Sequence, residues 1–479
     1  MIFSSYKFIF LFLPIVYLGY VSLNKLKLEV IAKVWLVLAS FYFYAQGSRT
    51  FLKFFIASVF FNYVIGSLIG SVKGEYAQRN KKMLLAIGLA ENILLLGYFK
   101  YTDFFITNVN QLVGTNFALK GIVLPIGISF FTFQLIAYLV DSYRGLTKDY
   151  NVLNYLLFIT FFPQLIVGPI VHHKDIVPEF EASDHTKFKK ENILLAVFLF
   201  SIGCGKKLIL ADPLTDFAED YFVNVYVSGV QSFWQSWFAT ISYTISYYFD
   251  LSGYADMAIG LGLFFNIRLP VNFNSPYKAR NFADYWKRWH MTLSKFLSDY
   301  VFRLVYRKGA GSGNYYLAVM FTFFVSGFWH GAGWTFVVWG VINGFFVVCA
   351  NFMKSKGWKL PLFIPYVLTF LGVMATRVLF VSKTFTDAFT VYKTMLNVSV
   401  FSGKSMSAIL ASLNTFATKN SISLCFLAVG MAVVFFGKST TQISSEFKPS
   451  MRYAVLAGCV LAASFFWMGG VTKFLYFQF

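Results

Sequence analysis

Two histidines have the residue type and the surroundings that could perform chemistry in this chain. His330 lies within residues 321–340, a run that contains no Asp, Glu, Lys or Arg. An ionisable imidazole is costly in hydrocarbon, so a histidine in such a run indicates a functional site. His290 ends the motif 284–290, which belongs to the most basic loop of the protein. One buried histidine and one histidine at a charged boundary predict chemistry carried out across a membrane.

The surroundings of His330 favour a general base. Gly327, Gly331 and Gly333 flank it, and such small residues allow a helix or a substrate to approach closely. Histidine suits the activation of an attacking hydroxyl because its pKa lies near the operating pH. The alternative is a histidine hydrogen-bonded between packed helices. For His290, the alternative is an interfacial residue among its basic and tryptophan neighbours.

The elements that must position these residues are membrane helices. Hydrophobic residues make up 57% of the chain and charged residues only 13%, whereas soluble domains carry roughly 25% charged residues. Apolar runs near the length of a bilayer span recur throughout. They predict an all-α polytopic membrane protein with about eleven to thirteen membrane segments, some of them re-entrant, and no soluble domain. The first run, residues 7–21, lacks a small-residue cleavage site and is predicted to be a retained helix.

The charge distribution excludes nucleic acid as the partner of this chain. The formal net charge is +20, but the cations cluster in short loops of the kind that stay cytoplasmic. Anionic membrane lipids account for part of this excess of positive charge, and a polyphosphorylated cytosolic donor could bind to the remaining cations. The four cysteines have no metal-ligand spacing, so neither a metal site nor a disulfide is expected.

Changes in composition along the chain predict three parts. Residues 1–120 have the pattern of plain spanning helices that act as a scaffold. Residues 121–352 carry Gly and Pro inside apolar runs, which membranes tolerate only where protein or a water cavity shields the backbone, and form the predicted catalytic core. This core includes the basic segment 269–314, whose interleaved cations and aromatics predict amphipathic interfacial helices. Residues 353–479 supply further membrane helices and a tail that contains a tyrosine.

Carboxylates within apolar sequence predict ion pairs, because a buried carboxylate generally needs a partner. Asp250 and Asp256 are expected to pair structurally with Arg268 or with cations after Pro270. Asp141 is expected to pair with a nearby arginine, Arg144, at a loop edge, and Glu91 has no explanation in the sequence.

Four motifs occur in one order and together resemble a known family. They cover residues 248–262, 270–277, 286–290 and 327–331. In combination they resemble the membrane-bound O-acyltransferase family, most closely the bacterial branch that acetylates exported polysaccharides such as alginate and peptidoglycan. Residues 302–309 depart from the alginate pattern and are more similar to the D-alanine transferases of the family.

The resemblance implies a membrane-bound O-acyltransferase helical bundle and roles for three residues. His330 corresponds to the invariant membrane histidine, and His290 to a second characteristic histidine near the cytosolic entrance that could seat the donor's thioester. Tyr476 matches a terminal motif thought to present a hydroxyl as an acyl relay, which would need a nearby base such as His330. Its alternative is an aromatic residue that anchors a helix end.

The implied function is an O-acetyltransferase in a bacterial inner membrane. Acetyl-CoA would donate the acetyl group from the cytosol, with no permanently bound cofactor. A periplasmic serine-type, SGNH-like partner would then esterify the polysaccharide. The alternatives are D-alanyl transfer to teichoic acid, a lipid-linked sugar transporter or flippase, and a non-catalytic scaffold. We expect the donor to contact six residues of the basic segment: Lys287, Arg288, Trp286, Trp289, Asn272 and Arg280.

Overall fold

The computed structural model describes residues 1–47, 49–147, 151–182, 189–228 and 232–469. Throughout these ranges the regular structure is helical and contains no β-strand, which confirms the predicted all-α class. The chain divides into two compact units. The first contains residues Met1–Ile202, Tyr254–Val271 and Phe447–Cys459, and the second contains Gly203–Gly253, Asn272–Glu446 and the chain from Val460 onward.

The first unit is built on helices rich in Leu, Ile and Phe, with an aromatic core. Phe8 packs against Phe43 and Phe162 with ring centroids 5.8 and 6.1 Å apart. Polar caps set helix starts locally, as where the Asn151 side chain accepts a hydrogen bond from the Asn154 N–H. The α-helices that begin in this unit are Leu13–Lys25, Glu29–Gly47, Arg49–Ser71, Ala77–Leu96, Thr102–Val113, Ile128–Tyr143, Val152–Thr160, Phe162–Leu165, His173–Glu181, Lys190–Cys204 and Met451–Trp467.

The second unit contains both histidines of interest. Its caps include a reciprocal pair in which Thr384 and Asp387 bond each other's backbone N–H groups, which begins the helix that follows. The helix Phe233–Phe264 contributes its residues up to Gly253 to this unit. The other α-helices are Asp212–Ser228, Phe282–Trp286, Met291–Phe296, Arg303–Val305, Gly311–His330, Trp334–Ser355, Ile364–Val381, Phe385–Met395, Met406–Lys419, Ser421–Phe436 and Thr440–Ser445.

The membrane helices agree with a multi-pass protein. Seven helices of the described chain are long and apolar enough to span a bilayer, or up to eight if one pair bent by 91° is a single broken span. The sequence predicted more segments because some apolar runs fold as shorter pieces, and because the long helices Phe233–Phe264 and Gly311–His330 are not apolar enough to count as spans. The seven are Phe8–Lys25, Glu29–Gly47, Arg49–Ser71, Ala77–Val113, Lys190–Val225, Trp334–Ser355 and Ile364–Val381.

The apolar run of residues 153–171, long enough to be one of the membrane segments that the sequence predicts, is broken in this way. The structure divides it into the helices Val152–Thr160 and Phe162–Leu165, followed by irregular backbone. Pro163 stands in the first turn of the second helix, where its missing N–H costs nothing. The Gln164 side chain donates a hydrogen bond of 2.6 Å to the Phe158 carbonyl, so part of the backbone at this buried break is hydrogen-bonded by a side chain of the same segment.

The basic segment 269–314 folds as short amphipathic helices. Trp286, Trp289 and Phe296 are buried, whereas cations such as Lys287 and Lys295 are exposed. The aromatic face is therefore buried, and the cationic face is exposed.

The ion pair predicted for Asp250 exists, but its partner is different. Asp250 is fully buried, and the Lys207 ammonium lies 2.6 Å from its Oδ1 and 2.8 Å from Asp212 Oδ1. The predicted partners, Arg268 or a cation after Pro270, were wrong. The sequence did not identify Lys207 as the partner of Asp250. Lys207 lies in an apolar run that folds as the π-helical segment Gly205–Ala211, and its side chain is buried there.

The three other carboxylates that the sequence singled out lie in the first unit, whereas Asp250 lies in the second. Asp141 pairs with Arg144 at 3.6 Å, as predicted, and also lies 3.3 Å from the Nδ1 atom of His173. Glu91 accepts a hydrogen bond of 3.0 Å from the Asn62 side chain, which supplies a partner that the sequence did not identify. Asp256 is buried. Asp141 and Glu91 thus each have a polar partner within this unit.

Candidate active site

His330 is the last residue of the helix Gly311–His330, and its side chain is buried. Its Nδ1 atom lies 2.6 Å from the backbone carbonyl oxygen of Ser326, one turn earlier. A carbonyl oxygen can only accept, so Nδ1 carries the proton in this bond. The lone pair of the neutral ring is therefore on Nε2, which is the arrangement that a general base requires.

Three aromatic rings hold the His330 imidazole in place. The ring centroids of Trp329 and Trp339 each lie 4.8 Å from it, and that of Phe380 lies 5.7 Å away. All three meet the imidazole at steep angles, 64° to 80°. Rotation of the imidazole would displace one of these neighbours, so its orientation is fixed by packing as well as by the bond to Ser326.

A glycine crossing sets the position of the His330 helix. A Cβ atom on Gly327 would lie 2.5 Å from the Phe336 carbonyl oxygen and 3.0 Å from the Cα atom of Gly340. The helix Trp334–Ser355 thus approaches so closely that only glycine fits. The role predicted for Gly327 as a site of close helix approach is confirmed. Gly331 is equally tight, since its Cβ would overlap the Phe336 ring.

His290 is buried, although its basic neighbours predicted a charged boundary. It adopts a left-handed backbone conformation (φ 45°) immediately before the helix Met291–Phe296. Its Nδ1 atom lies 3.2 Å from Asn272 Oδ1, which also accepts bonds from the backbone N–H and hydroxyl of Thr292. Burial lowers the pKa of His290 to about 3, so the ring is neutral at physiological pH.

The two histidines border one aromatic cluster, formed by Tyr247, Trp289, Trp339 and Phe380. Tyr247 stacks on Trp289 at 5.9 Å and meets Phe380 edge-on at 5.3 Å. Trp289 directly precedes His290, and both Trp339 and Phe380 contact the His330 ring. The structure therefore brings together, within the second unit, the two motifs that the sequence placed apart.

A cavity of about 260 Å³ lies beside the His330 helix. It is lined from the basic segment by Trp286 and Lys287 and from the His330 helix by Ser326, the residue whose carbonyl holds the His330 imidazole. Trp286 packs edge-on against Trp339 at 5.8 Å. The remaining lining residues are Ala283, Leu293, Ser294, Leu297, Tyr315, Thr322, Phe323, Val347 and Asn351.

The six residues predicted to contact the donor occupy three environments: two line the cavity, two are buried, and two lie on the outer side of the basic segment. Only Trp286 and Lys287 line the cavity. Trp289 and Asn272 are buried and support the site from within.

Two arginines of this set lie on the outer side of the basic segment. Arg288 pairs with Asp284 at 2.9 Å, and Arg280 Nε donates to the Tyr366 hydroxyl at 2.8 Å. Tyr476, the predicted acyl relay, lies outside the described residues.

The sequence did not identify the contribution of the helix Ile364–Val381. Phe380 contacts His330, and Arg377 stands one turn earlier with its guanidinium 4.2 Å from the Tyr247 ring centroid. An arginine in the middle of an apolar run was an available signal, because charges at membrane depth are rare and generally functional.

Comparison with known proteins identifies the family of this chain. A model of the membrane-bound O-acyltransferase family matches residues 47–363. The chain is 38% identical to a peptidoglycan O-acetyltransferase of Helicobacter pylori, over 83% of this chain and 80% of that protein. It is 35% identical to a probable alginate O-acetylase of Pseudomonas aeruginosa (83% and 75%) and 28% identical to a teichoic acid D-alanyltransferase of Bacillus subtilis (49% and 60%). Since the family model spans most of the chain and two relatives exceed 30% identity over most of their length, this multi-pass helical protein belongs to the membrane-bound O-acyltransferase family.

Proposed function

We propose that this acyltransferase moves acetyl groups from cytosolic acetyl-CoA across a bacterial inner membrane, to O-acetylate an exported cell-envelope polysaccharide of the peptidoglycan or alginate type. Two relatives above 30% identity carry names of O-acetylating enzymes, which supports acetyl as the group transferred and a glycan as its destination. The observation that carries the proposal is the bond from His330 Nδ1 to the Ser326 carbonyl, because it leaves Nε2 able to accept a proton.

In the proposed transfer, His330 acts as the general base. As an acceptor hydroxyl attacks the thioester carbonyl carbon, its proton passes to His330 Nε2 and a C–O bond forms. The tetrahedral intermediate then collapses, the C–S bond breaks, and the same proton leaves with the thiolate as CoA–SH. The ring begins and ends neutral, so the step needs no further reactant.

The cavity beside the His330 helix suits the acyl end of the donor. Its apolar lining by Leu293, Leu297 and Phe323 accommodates a methyl group, and Ser326 places it next to the base. Lys287 is exposed and also lines the cavity, so its ammonium can pair with the phosphates of CoA. The exposed cationic face of the basic segment extends this attraction.

The location of the two substrates calls for a relay. Acetyl-CoA is cytosolic and the polysaccharide is outside, so the first acceptor is either Tyr476 or a serine of a partner protein. A periplasmic SGNH-like esterase-type partner would complete the transfer to the polymer.

D-alanyl transfer is the second candidate within this chemistry. It is less supported, because the D-alanyltransferase match covers 49% of this chain whereas the peptidoglycan O-acetyltransferase match covers 83%. A sugar transporter or flippase would translocate its substrate without forming or breaking a thioester.

Turnover of radiolabelled acetyl-CoA by the purified protein in liposomes separates these functions. We expect CoA release from the wild type and from His173→Gln, a control at a buried histidine of the first unit, and little release from His330→Ala. A wild type that uses a D-alanyl carrier-protein thioester but not acetyl-CoA would establish the second candidate. A wild type that uses neither would contradict the enzymatic proposal.

A further inference from the structure

Arg377 is a buried cation whose charge no carboxylate of the described chain neutralises. It lies within the helix Ile364–Val381 and is 4% exposed. The described ranges place no Asp or Glu in an ion pair with it, and its Nε atom is enclosed without a hydrogen-bond partner. An unpaired charge in a protein interior is strongly disfavoured. Its presence indicates that an anion is expected at this position during function.

The groups around Arg377 lower the cost of its burial without neutralising it. The guanidinium carbon lies 4.2 Å from the Tyr247 ring centroid, 5.0 Å from that of Phe380 and 5.4 Å from that of Trp289. Aromatic faces attract cations through their quadrupoles. The hydroxyls of Tyr277 and Tyr285 also interact with it electrostatically. None of these groups carries a negative charge at neutral pH, so a net positive charge remains in the cluster.

This charge and the proposed base contact the same aromatic ring. The Phe380 ring contacts the Arg377 guanidinium on one side and lies 5.7 Å from the His330 ring on another. Trp289, which also contacts the guanidinium, directly precedes His290. Arg377 is thus a buried cation that shares aromatic neighbours with the two elements that carry the histidines.

We propose that Arg377 is a catalytic residue that stabilises the oxyanion of the acyl-transfer intermediate. This inference rests on the proposed function. When the acceptor hydroxyl attacks, the C=O electron pair moves onto oxygen while the proton goes to His330. The guanidinium binds that oxygen, and the charge returns to the C=O bond when the thiolate leaves. The neutral ground state has no such anion, so the interaction strengthens only as the reaction proceeds.

A purely structural Arg377 would behave differently from this. If its aliphatic stem and stacking alone mattered, a methionine of similar length would replace it, and a lysine would confer no advantage over methionine. If the positive charge acts on the reaction, lysine keeps part of the effect and methionine loses it.

The test compares Arg377→Met and Arg377→Lys with the wild type and with Arg452→Met, a matched control at an exposed arginine. Each purified protein is assayed for kcat and KM with acetyl-CoA, and its thermal unfolding is measured in the same detergent. We expect Arg377→Met to lower kcat by roughly 100-fold or more, with KM within about threefold of the wild type, as for loss of an oxyanion donor. Arg377→Lys should recover at least about tenfold of that loss.

The outcomes are distinct. Equal kcat in the lysine and methionine variants, a change in KM alone, or failure of both variants to fold would overturn the proposal and assign Arg377 a structural role. Inactivity of the wild type and of Arg452→Met would instead reject acetyl-CoA as the donor, which is a failure of the proposed function and not of Arg377.

Discussion

The Nδ1 atom of His330 donates its hydrogen to the carbonyl oxygen of Ser326, 2.6 Å away in the same helix. Ser326 lies one helical turn before His330, so the imidazole bonds back onto its own helix and is held in one tautomer. This bond therefore fixes the ring and leaves the proton-accepting lone pair on Nε2.

The first prediction concerns the base itself. In His330→Gln the side-chain amide can still donate to the Ser326 carbonyl, but it cannot accept a proton from a hydroxyl. We expect kcat for acetyl transfer to fall by roughly 10²- to 10⁴-fold, the range for loss of a general base. Steady-state kinetics of the purified variant measure this. A kcat within twofold of the wild type would show that proton acceptance at His330 is not required.

His290 provides a prediction about stability and pH. Burial lowers the folded-state pKa of this ring to about 3, below the unfolded value of about 6.5. Between these values the unfolded chain binds a proton that the folded protein excludes, so the contribution of His290 is complete above about pH 6.5 and is lost as the pH falls. The slope approaches about 1.4 kcal/mol per pH unit below that point.

The variant His290→Asn isolates this effect. Asparagine tolerates the left-handed conformation at this position and has no charge to gain. We expect the Tm of the wild type to decline more steeply than that of the variant between pH 7 and 5. Parallel curves would mean that His290 is protonated equally in both states.

Gly327 provides a prediction about packing. In Gly327→Ala the new methyl group would press on the Phe336 carbonyl and on Gly340, and backbone atoms cannot move aside cheaply. We expect a loss of about 1–3 kcal/mol in unfolding free energy. Activity should also decrease, because the displaced helix carries His330.

Gly313→Ala in the same helix is the matched control. A Cβ atom there meets no neighbour within 4 Å, and alanine favours helix by about 0.5–1 kcal/mol over glycine. Thermal unfolding should therefore show the two substitutions changing Tm in opposite directions. Equal effects would indicate that helix propensity, and not the crossing, decides stability at Gly327.

The sequence is most informative about the candidate site where one residue conflicts with its own surroundings. His330 was recognisable because an imidazole interrupts an apolar run, and Gly327 because small residues surround it. The burial of His290 was not predictable, since it depends on Asn272 and on aromatic rings that only the tertiary structure brings to it. Its cationic neighbours turn outward on short helices while its own ring turns inward.

The membrane segments show the same contrast between what the sequence predicts and what only the tertiary structure decides. Composition establishes that the chain spans a bilayer several times, but it cannot decide whether an apolar run is one helix or two. Residues 153–171 are apolar enough to span, yet they fold around Pro163 as short buried helices. Arg377 was missed for a different reason, because the segment 353–479 was predicted only to supply further membrane helices and a tail that contains a tyrosine.

The last prediction concerns the buried ion pair between Lys207 and Asp250. Their 2.6 Å contact is almost fully shielded from solvent, so the charges depend on each other. Removal of one partner leaves the other charge uncompensated, and Lys207→Met should destabilise the protein by about 3–5 kcal/mol. Lys438→Met is the matched control, since its 2.6 Å pair with Glu446 is exposed and is expected to contribute at most about 1 kcal/mol. The double variant Lys207→Met/Asp250→Asn should regain much of the loss, because the fully buried carboxylate is then removed and only the partly exposed Asp212 still lacks its cation. Thermal unfolding of the four proteins in one detergent measures these differences, and a double variant as unstable as the single one would mean that Lys207 acts mainly through Asp212.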